Sequence, residues 1–399
     1  MYPVQGPLRG GIKLRSPRRI EKLPPYIFEK MDRLKEEAIR EGKDIISLGV
    51  GDPDQPTPDY IVDALRSAIA NPIHHQYPPY AGSKQFRQAV ASWYQRRFAV
   101  ELNPETEVLA LIGSKEGIAH MTMGWAGPGD LVLIPDPSFP VYRISAVFAG
   151  AETYFLPLEM ENSFLPDLDS VPKTVAERAT LLYLNYPNNP TGAIADLQFF
   201  EQAVSFAREH DLVLCHDLAY SEVAFDGYRP PSILQVPGAK DVAVEFHSLS
   251  KTFNMTGWRI GMAVGSQEIL ENLRLIKMNV DSSQFGAIQQ AGAEALLGPD
   301  DGVWQRAAVY QKRRDLLVQA LRQRGLDPLV PKASFYVWTP VPKGFTSMEF
   351  ALHMLEEIGV LAVPGIGFGQ CGEGYVRFSL TVPDHRLQEA AERIGRLTW

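Results

Sequence analysis

The chain of 399 residues predicts an α/β protein, with a large, mostly parallel sheet between helices and a smaller α/β unit. Three observations carry this. Short apolar runs alternate with stretches of helical period along most of the chain. Polar groups gather directly after several of these runs, where open α/β sheets bind their ligands. The length suits one large domain and a smaller one, and 45% hydrophobic with 22% charged residues suits a globular enzyme with a substantial core. The net charge of −8 argues against a general binder of nucleic acid or anionic membrane. Cys215 and Cys371 are too few for a disulfide framework and lack metal-ligand spacing, so no metal site is expected and a reducing, cytoplasmic setting fits. No apolar run approaches the ~20 residues of a membrane span.

Residues 1–19 carry Arg9, Lys13, Arg15, Arg18 and Arg19 and no acid, and have no signal-peptide core. They read as an arm lying on a partner subunit. Residues 27–41 form an amphipathic helix closed by Gly42, and Ile45–Leu48 a short strand. Gly49-Val50-Gly51-Asp52-Pro53 is a turn where backbone can approach a ligand closely. Helices at 58–70 and 83–98 flank a stiff loop of His75 to Gly82 that presents Tyr77 and Tyr80.

Val108–Ile112 is a strand, followed by Gly113-Ser114-Lys115-Glu116-Gly117 and a helix. Strand, Gly-Ser turn, helix is an anion-binding arrangement, although Ser114 as a plain helix cap explains the same residues. The GxGxxG and Walker spacings are absent, so no nucleotide is indicated. Strands at 131–134 and 151–157 bracket Pro135 to Tyr142, in which Phe139 is held between prolines. Leu181–Leu184 ends in Asn185-Tyr186-Pro187-Asn188-Asn189-Pro190-Thr191-Gly192, a fixed loop whose Asn189 is kept out of the helical region by Pro190. A helix at 197–209 precedes a strand at 212–215, with His216, Asp217 and Tyr220 at its end. His216 reads as a packed histidine. Asp217 alone would read as a surface acid.

Val242–Phe246 is a buried strand, and Lys251 follows it within a few residues. A lysine there can be partly desolvated, which lowers its pKa and frees the nucleophilic amine. Ser248, Ser250 and Arg259 suit a phosphate beside it. A reactive amine with a phosphate cradle points to pyridoxal 5'-phosphate. Helices at 266–277, 284–297 and 301–324 follow. Strands at 335–338, 360–363 and 375–380 and helices at 346–358 and 384–397 make the smaller unit. Arg377 lies inside its last strand and needs an anionic partner, a structural carboxylate or that of a substrate.

Gly113-Ser114, Asn189, Asp217 with Tyr220, and Lys251 follow four strands, and one shared site accounts for them better than four coincidences. Together with Asn188-Asn189-Pro190-Thr191-Gly192, Asp217-x-x-Tyr220, Ser248-x-Ser250-Lys251, Arg259 and Arg377, the chain resembles the class I/II aminotransferases of fold type I from about Ile20 onward. The resemblance implies a seven-stranded sheet and pyridoxal 5'-phosphate. It implies a Schiff base on Lys251, which also moves the substrate Cα proton, and Asp217 on the pyridine nitrogen. Asn189 and Tyr220 would bind the ring oxygen, and Phe139 would stack on the ring. Ser114, Lys115, Ser248, Ser250 and Arg259 would hold the phosphate, with Tyr77 reaching in from the other subunit of a homodimer. Arg377 would clamp the substrate α-carboxylate. The domains would be an arm at 1–19, small-domain residues at 20–48, a large cofactor-binding domain at 49–295, and a connecting helix with the rest of the small domain at 296–399.

Leu23-Pro24-Pro25-Tyr26, the run from Gly113 to His120, that from Tyr183 to Ala193, and Met255-Thr256-Gly257-Trp258-Arg259 are most similar to LL-diaminopimelate aminotransferases. That implies an amino-group exchange between LL-2,6-diaminopimelate and 2-oxoglutarate, with Tyr26, Gly51, Lys115 and Asn189 beside Arg377 in the substrate pocket. Phe139 stands where members often have tyrosine, and Tyr80 where some have a glutamate that could grip the distal ammonium. The alternatives are an aminotransferase for alanine, aspartate or aromatic amino acids, and a C–S lyase of the same fold. A regulatory protein built on this fold would need a DNA-binding domain ahead of it, and only about twenty residues precede the first matching segment.

Overall fold

The computed structural model describes residues 18–24, 27–299 and 301–399. Most of the expected arm, and Tyr26, lie outside the described residues. The strands in chain order are β1 (Ile46–Ser47), β2 (Val108–Leu111), β3 (Leu131–Asp136), β4 (Glu152–Pro157), β5 (Ala179–Asn185), β6 (Val213–Asp217), β7 (Ala243–Ser248), β8 (Gly261–Gly265), β9 (Tyr336–Pro340), β10 (Val360–Leu361), β11 (Val363–Pro364) and β12 (Tyr375–Ser379).

The large sheet has seven strands in the order β2-β8-β7-β6-β5-β3-β4. All neighbours pair in parallel except β8, which is antiparallel to both β2 and β7. Side chains alternate between two cores, as a two-residue period requires. On β5, Leu182 and Leu184 join one cluster while Leu181 and Tyr183 join the other. With both faces covered, the strands are continuous apolar runs rather than half-polar ones.

Strand β8 has no counterpart in the sequence reading. Its five residues, GMAVG, are framed by glycines that would ordinarily mark a loop. Here the glycines admit the neighbouring strands. A Cβ on Gly261 would lie 2.7 Å from the His247 carbonyl oxygen, and one on Gly265 would lie 2.4 Å from that of Ala243.

The run at 360–363 was expected as one strand and divides in two. Residues β10 pair in parallel with β1, whereas β11 pairs antiparallel with β12. The chain passes from one small sheet to the other at buried Ala362. β12 pairs in turn with β9, placing Arg377 opposite Trp338. After β7, Leu249–Thr252 is a short helix, so Lys251 is held on a turn of helix.

Candidate active site

Register brings the strand ends together. Asn185 is paired with Asp217 across β5 and β6. Asp217 is paired with Phe246 across β6 and β7. Gly261 lies between Leu111 on β2 and Ser248 on β7. The unpredicted strand therefore sets the Gly113-Ser114 turn beside the Ser248–Lys251 turn. A cavity of about 510 Å³ opens there. Its walls include Gly51, Ser114, Lys115, Phe139, Asn189, Asp217, Tyr220, Ser248, Ser250, Lys251, Arg259 and Arg377.

Lys251 Nζ donates 2.9 Å to the Gly51 carbonyl. Burial holds the amine's pKa down to about 8, with Arg259 and Arg377 adding to the effect and Asp52 opposing it. A substantial neutral fraction near neutral pH is what a nucleophilic lysine needs. Asp217 is 5% exposed. Burial raises its pKa, and the Tyr142 hydroxyl, donating 2.8 Å to Oδ2, works the other way. An acid in this position gains its full charge when a cation arrives beside it.

At the other end, the helix Ser114–Trp125 starts from Gly113, which has φ 74°. The N-cap position is thus glycine, and Ser114 is the first helical residue with its backbone N–H at the positive end of the dipole. The same glycine leaves room for Arg259: a Cβ there would meet Nη2 at 2.3 Å. Arg259 itself has φ 56° and donates 2.7 Å to the Thr256 carbonyl. Burial, then Arg259, lowers the pKa of Lys115, an arrangement an anion between them would relieve. Ser248 Oγ accepts from the Ser250 amide, while Ser250 Oγ is buried with no hydrogen-bond partner among the described residues. A buried hydroxyl of this kind calls for a ligand.

Arg377 is 1% exposed. It donates 2.7 Å to Asn189 Oδ1 and 2.7 Å to the Gly49 carbonyl. The arginine fixes which end of the Asn189 amide is oxygen, so its Nδ2 is the donor that remains for a ligand. His216 is buried between Glu245 (2.8 Å) and the Tyr186 carbonyl (3.1 Å), as a packed histidine. Tyr77 is 90% exposed and lies outside its own chain's cavity; Tyr80 is also exposed.

Sequence reasoning missed Tyr142, Asn185 and Tyr336. Asn185 Nδ2 donates 2.7 Å to the Asp217 carbonyl, and Tyr336 Oη lies 3.3 Å from Tyr220 Oη. The tyrosines sit in apolar runs and read as core, and their polar partners are far away in sequence. Asn185 offered a signal, as it stands where polar residues follow β5. One group has metal-ligand geometry among the described residues, Glu116, His120 and Asp281. Lys277 Nζ contacts Glu116 at 2.5 Å and Asp281 at 3.0 Å, supplying the positive charge there itself.

The residues present fit pyridoxal 5'-phosphate. The lysine has a lowered pKa, a buried carboxylate can pair with a pyridinium, and the phosphate end combines a helix N-terminus, an arginine and an unsatisfied hydroxyl. Fold and site together define a fold type I transaminase dependent on that cofactor. The aminotransferase class I and II model matches residues 43–394, and the chain belongs to that family. It is 54% identical over 381 residues to an LL-diaminopimelate aminotransferase of Syntrophobacter fumaroxidans, covering 96% of this chain and 98% of the relative. It is 55% identical over 379 residues to an LL-diaminopimelate aminotransferase of Aquifex aeolicus, covering 95% and 98%. The substrate-bound structure of BacF from Bacillus subtilis superposes with a TM-score of 0.93 at 38% identity, covering 96% of this chain and 98% of BacF.

Proposed function

We propose that this transaminase exchanges an amino group between LL-2,6-diaminopimelate and 2-oxoglutarate, in the synthesis of lysine and of cell-wall precursors. The observation that carries the substrate is the near full-length identity, above 50%, to proteins named for that activity. The cavity suits a substrate with carboxylates, since Arg377 stands at one side and Lys115 at another.

The bound cofactor supplies a cationic ring that accepts the electron pair left when the substrate Cα loses its proton. The chain's residues do the rest. Arg377 offers a planar fork to the α-carboxylate, which a lysine could not. Lys251, with its lowered pKa, takes the proton from Cα and holds it. Asp217 keeps the ring nitrogen protonated, and Tyr142 and Asn185 keep Asp217 in place. Asn189 and Tyr220 orient the ring oxygen. Ser114, Lys115, Ser248, Ser250 and Arg259 anchor the phosphate, and Phe139 covers the ring. The Gly51 carbonyl accepts from the lysine.

The working unit is a homodimer in the cytoplasm, with Tyr77 completing the partner's cavity. Ile73, Tyr77, Val280 and Phe285 are exposed. The ring of His75 lies 5.6 Å from that of Phe285, bringing their two segments onto one face. Such an apolar surface suits a second copy. Free Cys215 and Cys371 fit a reducing compartment.

The test is glutamate formation from 2-oxoglutarate with each donor in turn. LL-diaminopimelate should give a kcat/KM at least ~100-fold above alanine, aspartate or phenylalanine, which is about 2.7 kcal/mol of discrimination. Equal or better use of a common amino acid would remove the substrate assignment. Keto-acid-independent breakdown of a sulfur amino acid would favour the lyase.

A further inference from the structure

Tyr336 stands in the cavity wall, and nothing in the chemistry above gives it a task. It is buried on β9 and touches three parts of the site at once. The Arg377 guanidinium lies 4.0 Å from the centre of its ring. Its hydroxyl oxygen is 3.3 Å from that of Tyr220. It also occupies the space beside Gly51, where a Cβ would fall 2.0 Å from that hydroxyl. Gly51 in turn carries the carbonyl that accepts from Lys251.

We propose that Tyr336 is a positioning residue for both halves of the site: its ring holds Arg377 for the substrate carboxylate, and its hydroxyl aims the Tyr220 phenol at the cofactor. The inference rests on the transaminase reading above.

The ring part follows from the shape of a guanidinium. Its N–H groups all lie in one plane, so an aromatic face can restrain that plane without taking a donor. Arg377 already spends two donors in that plane, on Asn189 and Gly49. Holding the plane is what orients the rest of the fork.

The hydroxyl part follows from proton counting. Each phenol has one proton, and two hydroxyls in contact share one hydrogen bond. When Tyr336 donates, the Tyr220 proton turns away from it, toward the cavity that Tyr220 lines. Position 51 is glycine for the same arrangement, because any side chain there would displace the Tyr336 hydroxyl.

The two parts separate in two substitutions. Tyr336→Phe keeps the ring and removes the hydroxyl; Tyr336→Leu removes both. Apoprotein of each, of wild type and of Tyr220→Phe is titrated with pyridoxal 5'-phosphate, and the absorption maximum of the bound cofactor is recorded. KM for 2-oxoglutarate is then measured on the reloaded enzymes. Tyr336→Phe should weaken cofactor binding by roughly tenfold and shift the maximum in the same direction as Tyr220→Phe, with KM within about twofold of wild type. Tyr336→Leu should add a rise in KM of roughly tenfold.

Wild-type affinity and spectrum in Tyr336→Phe would overturn the hydroxyl role. An equal rise in KM in Tyr336→Phe and Tyr336→Leu would overturn the ring role. Should Tyr336→Leu not fold, Tyr336→Met takes its place for the ring role, and the comparison of Tyr336→Phe with Tyr220→Phe decides the hydroxyl role. Wild-type apoprotein that takes up no cofactor would instead remove the transaminase reading, and this inference with it.

Discussion

At the residue scale the site works through two groups whose ordinary chemistry burial has changed. Burial disfavours the charge on Asp217, so a cationic ring nitrogen beside it and the carboxylate would stabilise one another. Asp217→Ala should lower kcat by two or more orders of magnitude, ~2.7 kcal/mol of transition-state stabilisation, in steady-state assays with cofactor in excess. Normal turnover in that variant would sink the role given to Asp217. Lys251 has its pKa lowered from 10.5 to about 8, chiefly by burial. Below about pH 8 its neutral fraction falls roughly tenfold per pH unit. The rate at which apoprotein captures cofactor, followed by stopped-flow absorbance, should rise with pH and level off above about 8. Between about pH 8 and the ordinary lysine value the unfolded chain binds the extra proton, so this group makes the apoprotein more stable as pH rises through that window. The sequence displayed Lys251 and Asp217 because each follows an apolar strand. It did not display Tyr142 or Tyr336, whose hydroxyls matter only once chain segments 75 and 116 positions apart meet.

At the scale of elements, most helices and strands, though not the helix Val141–Ala149, were legible from periodicity and fell within a few residues of the structure. β8 was not, because a five-residue run with glycine at both ends carries no signal of its own. Its glycines acquire meaning only from the carbonyls of β7 facing them. Adding even one methyl at Gly261 has to shift backbone rather than a flexible side chain. Gly261→Ala should therefore cost on the order of 1–3 kcal/mol in chemical denaturation, with an unchanged m-value. It should also loosen the cofactor, since Gly261 spaces Ser114 from Ser248. A variant as stable as wild type would mean that β8 does not approach β7 as closely as described. The split of residues 360–363 between two sheets was hidden for a related reason. An unbroken apolar run shows burial but not which neighbour each half pairs with.

At the scale of the whole molecule, the proposed homodimer makes a prediction that no property of a single chain shares. If Tyr77 serves the partner's cavity, Lys251→Ala and Tyr77→Ala fail in complementary ways. A hybrid dimer of the two would own one site with both residues intact. Mixing the two variants under conditions of subunit exchange should restore activity that neither has alone. No restoration, with exchange verified by mass, would place Tyr77 outside the site. The sequence supplied the family and the cavity's residues through motifs at strand ends. Substrate preference was legible only through resemblance, because an arginine placed as Arg377 is would serve any α-carboxylate.

The most direct test of the central claim is a spectral titration of the cofactor-loaded protein with LL-diaminopimelate, without keto acid, beside separate titrations with alanine, aspartate and phenylalanine. LL-diaminopimelate alone should abolish the absorption of the lysine-bound cofactor, and 2-oxoglutarate should restore it. A response to the common amino acids in place of LL-diaminopimelate would contradict the substrate, and the absence of any lysine-bound cofactor absorption would contradict the role of Lys251.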